Sequence, residues 1–142
     1  FDYGKLAKYP HLRKGEVAIW EEFIRTKPIE YKWADYDEHV GPAPGFLSAD
    51  RTNFARGQSK VSQLRIDVVG WKNDAEVDII EITPRALIRA LGGIIAYQML
   101  YQQDHPELRV GALIICRDAH IAIEGVAAKL GVRFHFVEIA GE

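Results

Sequence analysis

Apolar positions along the chain change period from helical to strand-like and back. Between Lys14 and Arg25, Ile19, Trp20, Phe23 and Ile24 recur at helical spacing, which predicts an amphipathic helix. Lys27-Pro28 ends it, because the residue before a proline avoids helical backbone. Ile29 to Val40 alternates aromatic and polar residues through Tyr31 and Trp33, with Tyr36 after a slip, and predicts a strand with a bulge. Gly41-Pro42-Ala43-Pro44-Gly45 breaks the pattern and opens a connection that reaches Ser62 and carries Arg51, Arg56 and Lys60. A connection of that length inside one domain is more often functional than idle.

The middle of the chain alternates cleanly. Leu64, Ile66 and Val68 fall on one face of a strand, and Arg65, Asp67 and Val69 on the other. Trp71 to Ala75 supplies turn chemistry and Val77 to Thr83 returns, which predicts a hairpin centred on Asn73. Thr83-Pro84 has the form of a helix start, with Thr as cap and Pro at the first helical position. Leu87, Leu91, Ile95 and Met99 carry that helix at four-residue spacing to about Gln103. Val110 to Cys116 is a continuous apolar run, the signature of a strand covered on both faces. Ile121 to Leu130 predicts a further helix closed by Gly131, and Val132 to Ile139 a last strand. The order helix, strand, strand, strand, helix, strand, helix, strand implies an α/β fold with a mixed sheet and helices on both faces.

Composition narrows the setting. A chain of 142 residues, 48% apolar and 27% charged, fits one domain spanning 1–142. Its 18 Lys and Arg against 20 Asp and Glu neither mark nor exclude a nucleic-acid binder, since a local basic patch is what matters there. Cys116 is the single cysteine, which excludes an internal disulfide and a multi-cysteine metal site; its apolar run predicts a buried, inert thiol. No apolar stretch approaches the ~20 residues of a membrane span. Phe1-Asp2-Tyr3-Gly4 is not a secretory signal, and the lack of an initial Met implies residues removed or disordered ahead of Phe1. The expected location is intracellular (cytoplasmic) or virion-associated.

Candidate chemistry sits on the hairpin. A turn centred on Asn73 puts Asp67 opposite Ile79, with Glu81 as its same-face diagonal neighbour. Diagonal roots lie about 7–8 Å apart, close enough for two carboxylates to share a cation. Thr83 continues that face, and the Ile82 carbonyl offers another hard oxygen, a set suited to Mg²⁺ or Mn²⁺. The same register puts Arg65 opposite Glu81, so an ordinary cross-strand ion pair accounts for these residues equally. Glu16 lies on the inward stripe of the first helix as a third acid, or simply as a first-turn acid welcomed by the helix dipole. His11, His39, His105, His120 and His135 show no ligand spacing. Gly92-Gly93 costs about 1 kcal/mol per glycine in a helix; close packing on the sheet is the expected reason, and close approach of a phosphate backbone or partner helix the sharper one.

The segments Arg65-Ile66-Asp67-Val68-Val69, Asp78-Ile79-Ile80-Glu81-Ile82-Thr83-Pro84 and Ala90-Leu91-Gly92-Gly93-Ile94-Ile95-Ala96-Tyr97 together resemble PD-(D/E)xK nuclease-like domains of restriction-endonuclease-like fold. The resemblance runs from about Lys14 to Ile139. It implies that Asp67, Glu81 and the Ile82 carbonyl hold Mg²⁺ or Mn²⁺, with Glu16 as the first-helix acid and Thr83 completing the catalytic set. Thr83 stands where the family has a lysine that orients or activates water and stabilises charge on the scissile phosphate. Gly93 stands where some members carry a glutamine, four residues before Tyr97. Arg65, Arg85 and Arg89 are the candidates for a relocated cation, and Arg51, Arg56 and Lys60 for phosphate contacts. The implied function is a nuclease-fold domain of lost or weakened catalysis, serving a binding or structural role in a phage particle or DNA-handling assembly. The alternative is an active Mg²⁺- or Mn²⁺-dependent DNA endo- or exonuclease. Partners are then DNA or protein, with Tyr31, Trp33, Tyr36 and Trp71 as an aromatic docking surface and no membrane.

Overall fold

Helix α1 (Lys14–Thr26) buries the predicted stripe of Ile19, Trp20, Phe23 and Ile24 and stops at Lys27, whose left-handed backbone (φ 46°) turns its N–H onto the Phe23 carbonyl. The structure is a computed structural model that describes residues 1–41 and 64–139. The predicted connection beyond Gly41, with Arg51, Arg56 and Lys60, lies outside the described residues. Strands β1 (Trp33–Val40), β2 (Leu64–Trp71), β3 (Glu76–Ala86), β4 (Arg109–Ala119) and β5 (Arg133–Phe136) form one sheet in that spatial order. β2 runs antiparallel to both β1 and β3, and β3, β4 and β5 run parallel. Helix α2 (Ile88–Asp104) links β3 to β4, and α3 (Ile121–Lys129) links β4 to β5. The mixed sheet and the element order are those expected.

β4 separates two cores. Ala112, Ile114 and Cys116 face the core shared with α2, while Leu113 and Ile115 face α1 through Trp20 and Phe23. Coverage on both faces explains the unbroken apolar run, and burial pushes the Cys116 thiol up to about 12, leaving it inert. No helix among the described residues is long and apolar enough to cross a membrane.

Several boundaries differ from expectation. β1 starts at Trp33 rather than Ile29, because Tyr31 leaves the strand to lie over Gly70, where a Cβ would stand 2.8 Å from its ring. Tyr31 and Tyr36 are buried, so they form no docking surface. No extra residue enters at Tyr36, since β1 and β2 keep one register from Trp33–Trp71 to Val40–Leu64; the irregularity is at Asp37 (φ 54°), across which the inward residues pass from the α1 core (Ala34, Tyr36) to the α2 core (Val40). Their β2 partners exchange likewise, so Val68 and Ile66 do not share a core. β5 is shorter than predicted because it pairs only with Leu113 to Cys116.

The largest correction concerns Thr83-Pro84. β3 runs on to Ala86, paired with β4, and the helix begins only at Ile88 with Leu87 as its cap. Thr83 is a strand residue whose hydroxyl donates to the Arg85 carbonyl at 3.2 Å, and it caps nothing. Pro84 falls between the paired positions Thr83–Cys116 and Arg85–Asp118, where a missing N–H costs no ladder bond. The stripe on α2 is also rotated. Four-residue steps drift by about 40° each on a helix of 3.6 residues per turn. Leu91, Ile94 and Tyr101 are therefore buried, while Leu87 and Met99 are exposed.

A polar row crosses the sheet at the hairpin end. Asp78, only 2% exposed, accepts from the Tyr31 hydroxyl at 2.6 Å and from Arg133, with Lys72 Nζ at 3.6 Å. Gly70 on one neighbouring strand makes room for Tyr31, and Gly111 on the other for the Asp78 carboxylate, which a Cβ would meet at 2.4 Å. Among the described residues, Gly92 has open space around it and Gly93 meets only Tyr97 of its own helix, so close packing on the sheet explains neither. Gly92→Ala is therefore expected to stabilise the fold by about 1 kcal/mol. Gly111→Ala is expected to destabilise it by about 2 kcal/mol or more, since a buried ion-paired carboxylate must move. Denaturant melts of the two variants check both signs.

Candidate functional site

The hairpin turn is centred on Asp74, one residue later than expected: Lys72 N–H donates to the Glu76 carbonyl, and Asn73 Oδ1 accepts from Ala75 N–H at 2.8 Å. That shift moves the register by two. Val69 faces Ile79 and Val68 faces Ile80, so one further step brings Asp67 opposite Glu81. The diagonal relation expected of the two acids is replaced by a direct one.

The ladder between β2 and β3 ends at Val68–Ile80, although β2 stays paired with β1 to Leu64 and β3 with β4 to Ala86. The strands thus fork. In the fork, Asp67 Oδ2 accepts from the Ile82 N–H at 3.0 Å in place of a strand partner. The N–H and C=O of one extended residue face the same strand edge, so the Ile82 carbonyl faces the fork too.

A cleft of about 410 Å³ opens there, lined by Asp67, Glu81, Ile82 and Thr83 from the strands, Glu16 from α1 and Arg89 and Tyr97 from α2. Glu16 stands at the helix start and at the cleft. Its Oε1 accepts from the Arg13 N–H at 3.1 Å at the helix start, and its charge reaches Asp67 and Glu81. Burial, reinforced by the charge of Glu16, raises Asp67 to about 6 despite the Ile82 hydrogen bond. Burial, with Asp67 and Glu16 beside it, raises Glu81 to about 8. Tyr97 is raised as well, by burial and then by Glu81 and Asp67.

Arg65 does not pair with Glu81. Its Nε lies 3.2 Å from Asp37 Oδ1 and donates to His39, so the ordinary cross-strand pair is absent. Among the described residues, no ion pair neutralises Asp67, Glu81 or Glu16. Arg85 lies 3.6 Å from Asp118, while Arg89 borders the acids without an ion-pair partner among the described residues. His11 and Arg13 also line the cleft and carry no signal in the sequence, because they precede α1 without any periodic pattern.

Among the described residues no group of three His, Cys, Asp or Glu makes a ready-made metal cage. Mg²⁺ does not need one, being held by one or two carboxylates together with waters and substrate phosphate. An electrostatically strained carboxylate pair with the Ile82 carbonyl beside it fits such an ion.

No protein-family model matches the chain, and no curated protein does. Among solved structures it is similar to a repair endonuclease from Pyrococcus abyssi, at 16% identity and TM-score 0.59 over 93% of this chain. It is also similar to EndoMS in a complex with double-stranded DNA, at 15% identity and TM-score 0.55 over 100% of this chain. In each case it spans 50% of the other chain. The fold is nuclease-like.

The folded values of both acids exceed their ordinary 3.8 and 4.5, so the folded chain holds these protons more tightly than the unfolded one. The stability this confers is full below about pH 4 and is lost as pH rises through about 6 and about 8. Glu81→Gln is therefore expected to gain on wild type as pH rises, by about 1 kcal/mol or more at pH 8. Denaturant midpoints from pH 5 to 8 check it; a difference that stays constant with pH contradicts the strained pair.

Proposed function

We propose that the fork cleft is a divalent-metal-dependent site that hydrolyses phosphodiester bonds of DNA. The observation that carries this reading is the Asp67–Glu81 pair in the fork: two raised carboxylates, partly buried, that share one cleft and have no ion-pair partner among the described residues. The Ile82 N–H accounts for one oxygen of Asp67, while Arg65, the structural partner expected for Glu81, pairs with Asp37 instead.

Asp67 and Glu81 would hold Mg²⁺ or Mn²⁺, with the Ile82 carbonyl beside them. When bound, the cation lowers the pKa of an attacking water and screens charge on the phosphate. The remaining work falls to the chain itself. The Ile82 N–H pins one Asp67 oxygen and leaves the other for the cleft. Glu81, raised by burial and by the charges of Asp67 and Glu16, would give up its proton more readily beside a cation. Arg89 lines the cleft beside Thr83 and supplies the positive charge that threonine lacks. It stabilises the phosphate and does not accept a proton. DNA is favoured as substrate by the two similar structures, one a repair endonuclease and one a complex with double-stranded DNA.

A second reading has Thr83 as its support: a nuclease fold of weakened catalysis, kept for DNA binding or for assembly, a phage particle included. Cleavage of plasmid and single-stranded DNA with Mn²⁺ separates the two. The proposal expects wild-type cleavage, a loss of about 100-fold or more in Asp67→Ala, and a fall of about 10²–10³ in kcat for Arg89→Ala. A silent wild type with activity gained in Thr83→Lys establishes the second reading, and silence from every variant removes catalysis from the account.

A further inference from the structure

A second cleft, of about 460 Å³, adjoins the first and shares Glu81, Thr83, Arg89 and Tyr97 with it. Its α2 wall is apolar, built from Leu87, Ala90, Gly93 and the Tyr97 ring. Leu87 is 48% exposed at its edge, an apolar side chain left facing the opening. Arg85 and Arg89 stand on the polar side.

Gly93 gives this wall its shape. A Cβ there would sit 3.7 Å from Tyr97 Cε2, in ordinary contact, and any longer side chain would extend into the cleft alongside the ring. Helical glycine costs about 1 kcal/mol, and no atom of the sheet lies near enough to explain it by packing. What glycine provides is space beside an aromatic ring, in a cleft that Glu81 of the acid pair also lines.

We propose that this second cleft receives an unpaired nucleobase of the DNA strand whose phosphate lies at Asp67–Glu81, stacked on Tyr97 in the space left by Gly93. An aromatic wall flanked by arginines has the chemistry for this: the ring takes a base face of any sequence and the guanidinium the adjoining phosphate. A base inside a duplex already has both faces stacked, so the cleft selects strands that are single or locally unpaired. The proposal rests on the nuclease reading only for the position of the phosphate.

The test uses the Asp67→Asn chain without divalent metal, so that the strand stays whole, and a short single-stranded DNA carrying 2-aminopurine, whose fluorescence falls on stacking. Saturable quenching is expected, retained in Tyr97→Phe. Gly93→Leu fills the space without removing core packing and is expected to weaken binding by roughly 5- to 150-fold, as is Tyr97→Ala. Circular dichroism checks that each variant folds. Absence of quenching in the parent, or unchanged quenching in Gly93→Leu, overturns the base site. Cleavage of unlabelled DNA by wild type with Mn²⁺ is read separately. Cleavage without quenching removes the base site alone, and quenching without cleavage keeps the base site and removes the nuclease reading.

Discussion

The hydrogen bond from the Ile82 N–H to Asp67 Oδ2 is the interaction on which the rest of the site depends. Beyond Val68–Ile80, β2 follows β1 and β3 follows β4, and the separation would leave Ile82's N–H without a partner. An unpaired buried N–H costs about 1–3 kcal/mol, so a side-chain acceptor is needed where the strands part. Asp67 meets that need and is thereby drawn into the fork, opposite Glu81. One residue thus closes a backbone defect and fixes half of a carboxylate pair.

The opposite end of the same strands holds the register that makes this possible. Tyr31, the buried Asp78 and Arg133 form a polar row seated on Gly70 and Gly111, and the Asn73 turn completes the hairpin. A slip of β3 against β2 would take Asp78 away from Gly70 and leave a buried carboxylate without its hydroxyl and guanidinium. Breaking such a pair costs about 3–5 kcal/mol, enough to hold one register against its neighbours. The cost of the fork is offset at the far end of the hairpin.

Much of the fold was legible because its signals are periodic. The stripe Ile19-Trp20-Phe23-Ile24, the alternation around Asp67 and the unbroken run to Cys116 each correspond to one element and one environment. What misled was local chemistry overridden by tertiary pairing. Thr83-Pro84 has the composition of a helix start, yet hydrogen bonding to β4 keeps the chain extended to Ala86. The hairpin centre was misplaced by one residue because Asn73 acts through its side chain, closing the turn from its flank. That single residue decided between an Arg65–Glu81 pair and an Asp67–Glu81 pair. Type and spacing singled out the acids without deciding between a cation site and an ion pair; Arg13 and His11 were not singled out, since a residue before a helix has no periodic mark.

The central claim is that Asp67 and Glu81 form a divalent-cation site. Calorimetric titration of the chain with Mn²⁺ tests it most directly, without requiring substrate or turnover. The account predicts one Mn²⁺ per chain, with affinity reduced at least tenfold in both Asp67→Asn and Glu81→Gln and little changed in Glu22→Gln, whose carboxylate is paired with Arg25 at the surface. Absence of binding in wild type, or equal binding in all four proteins, would contradict it.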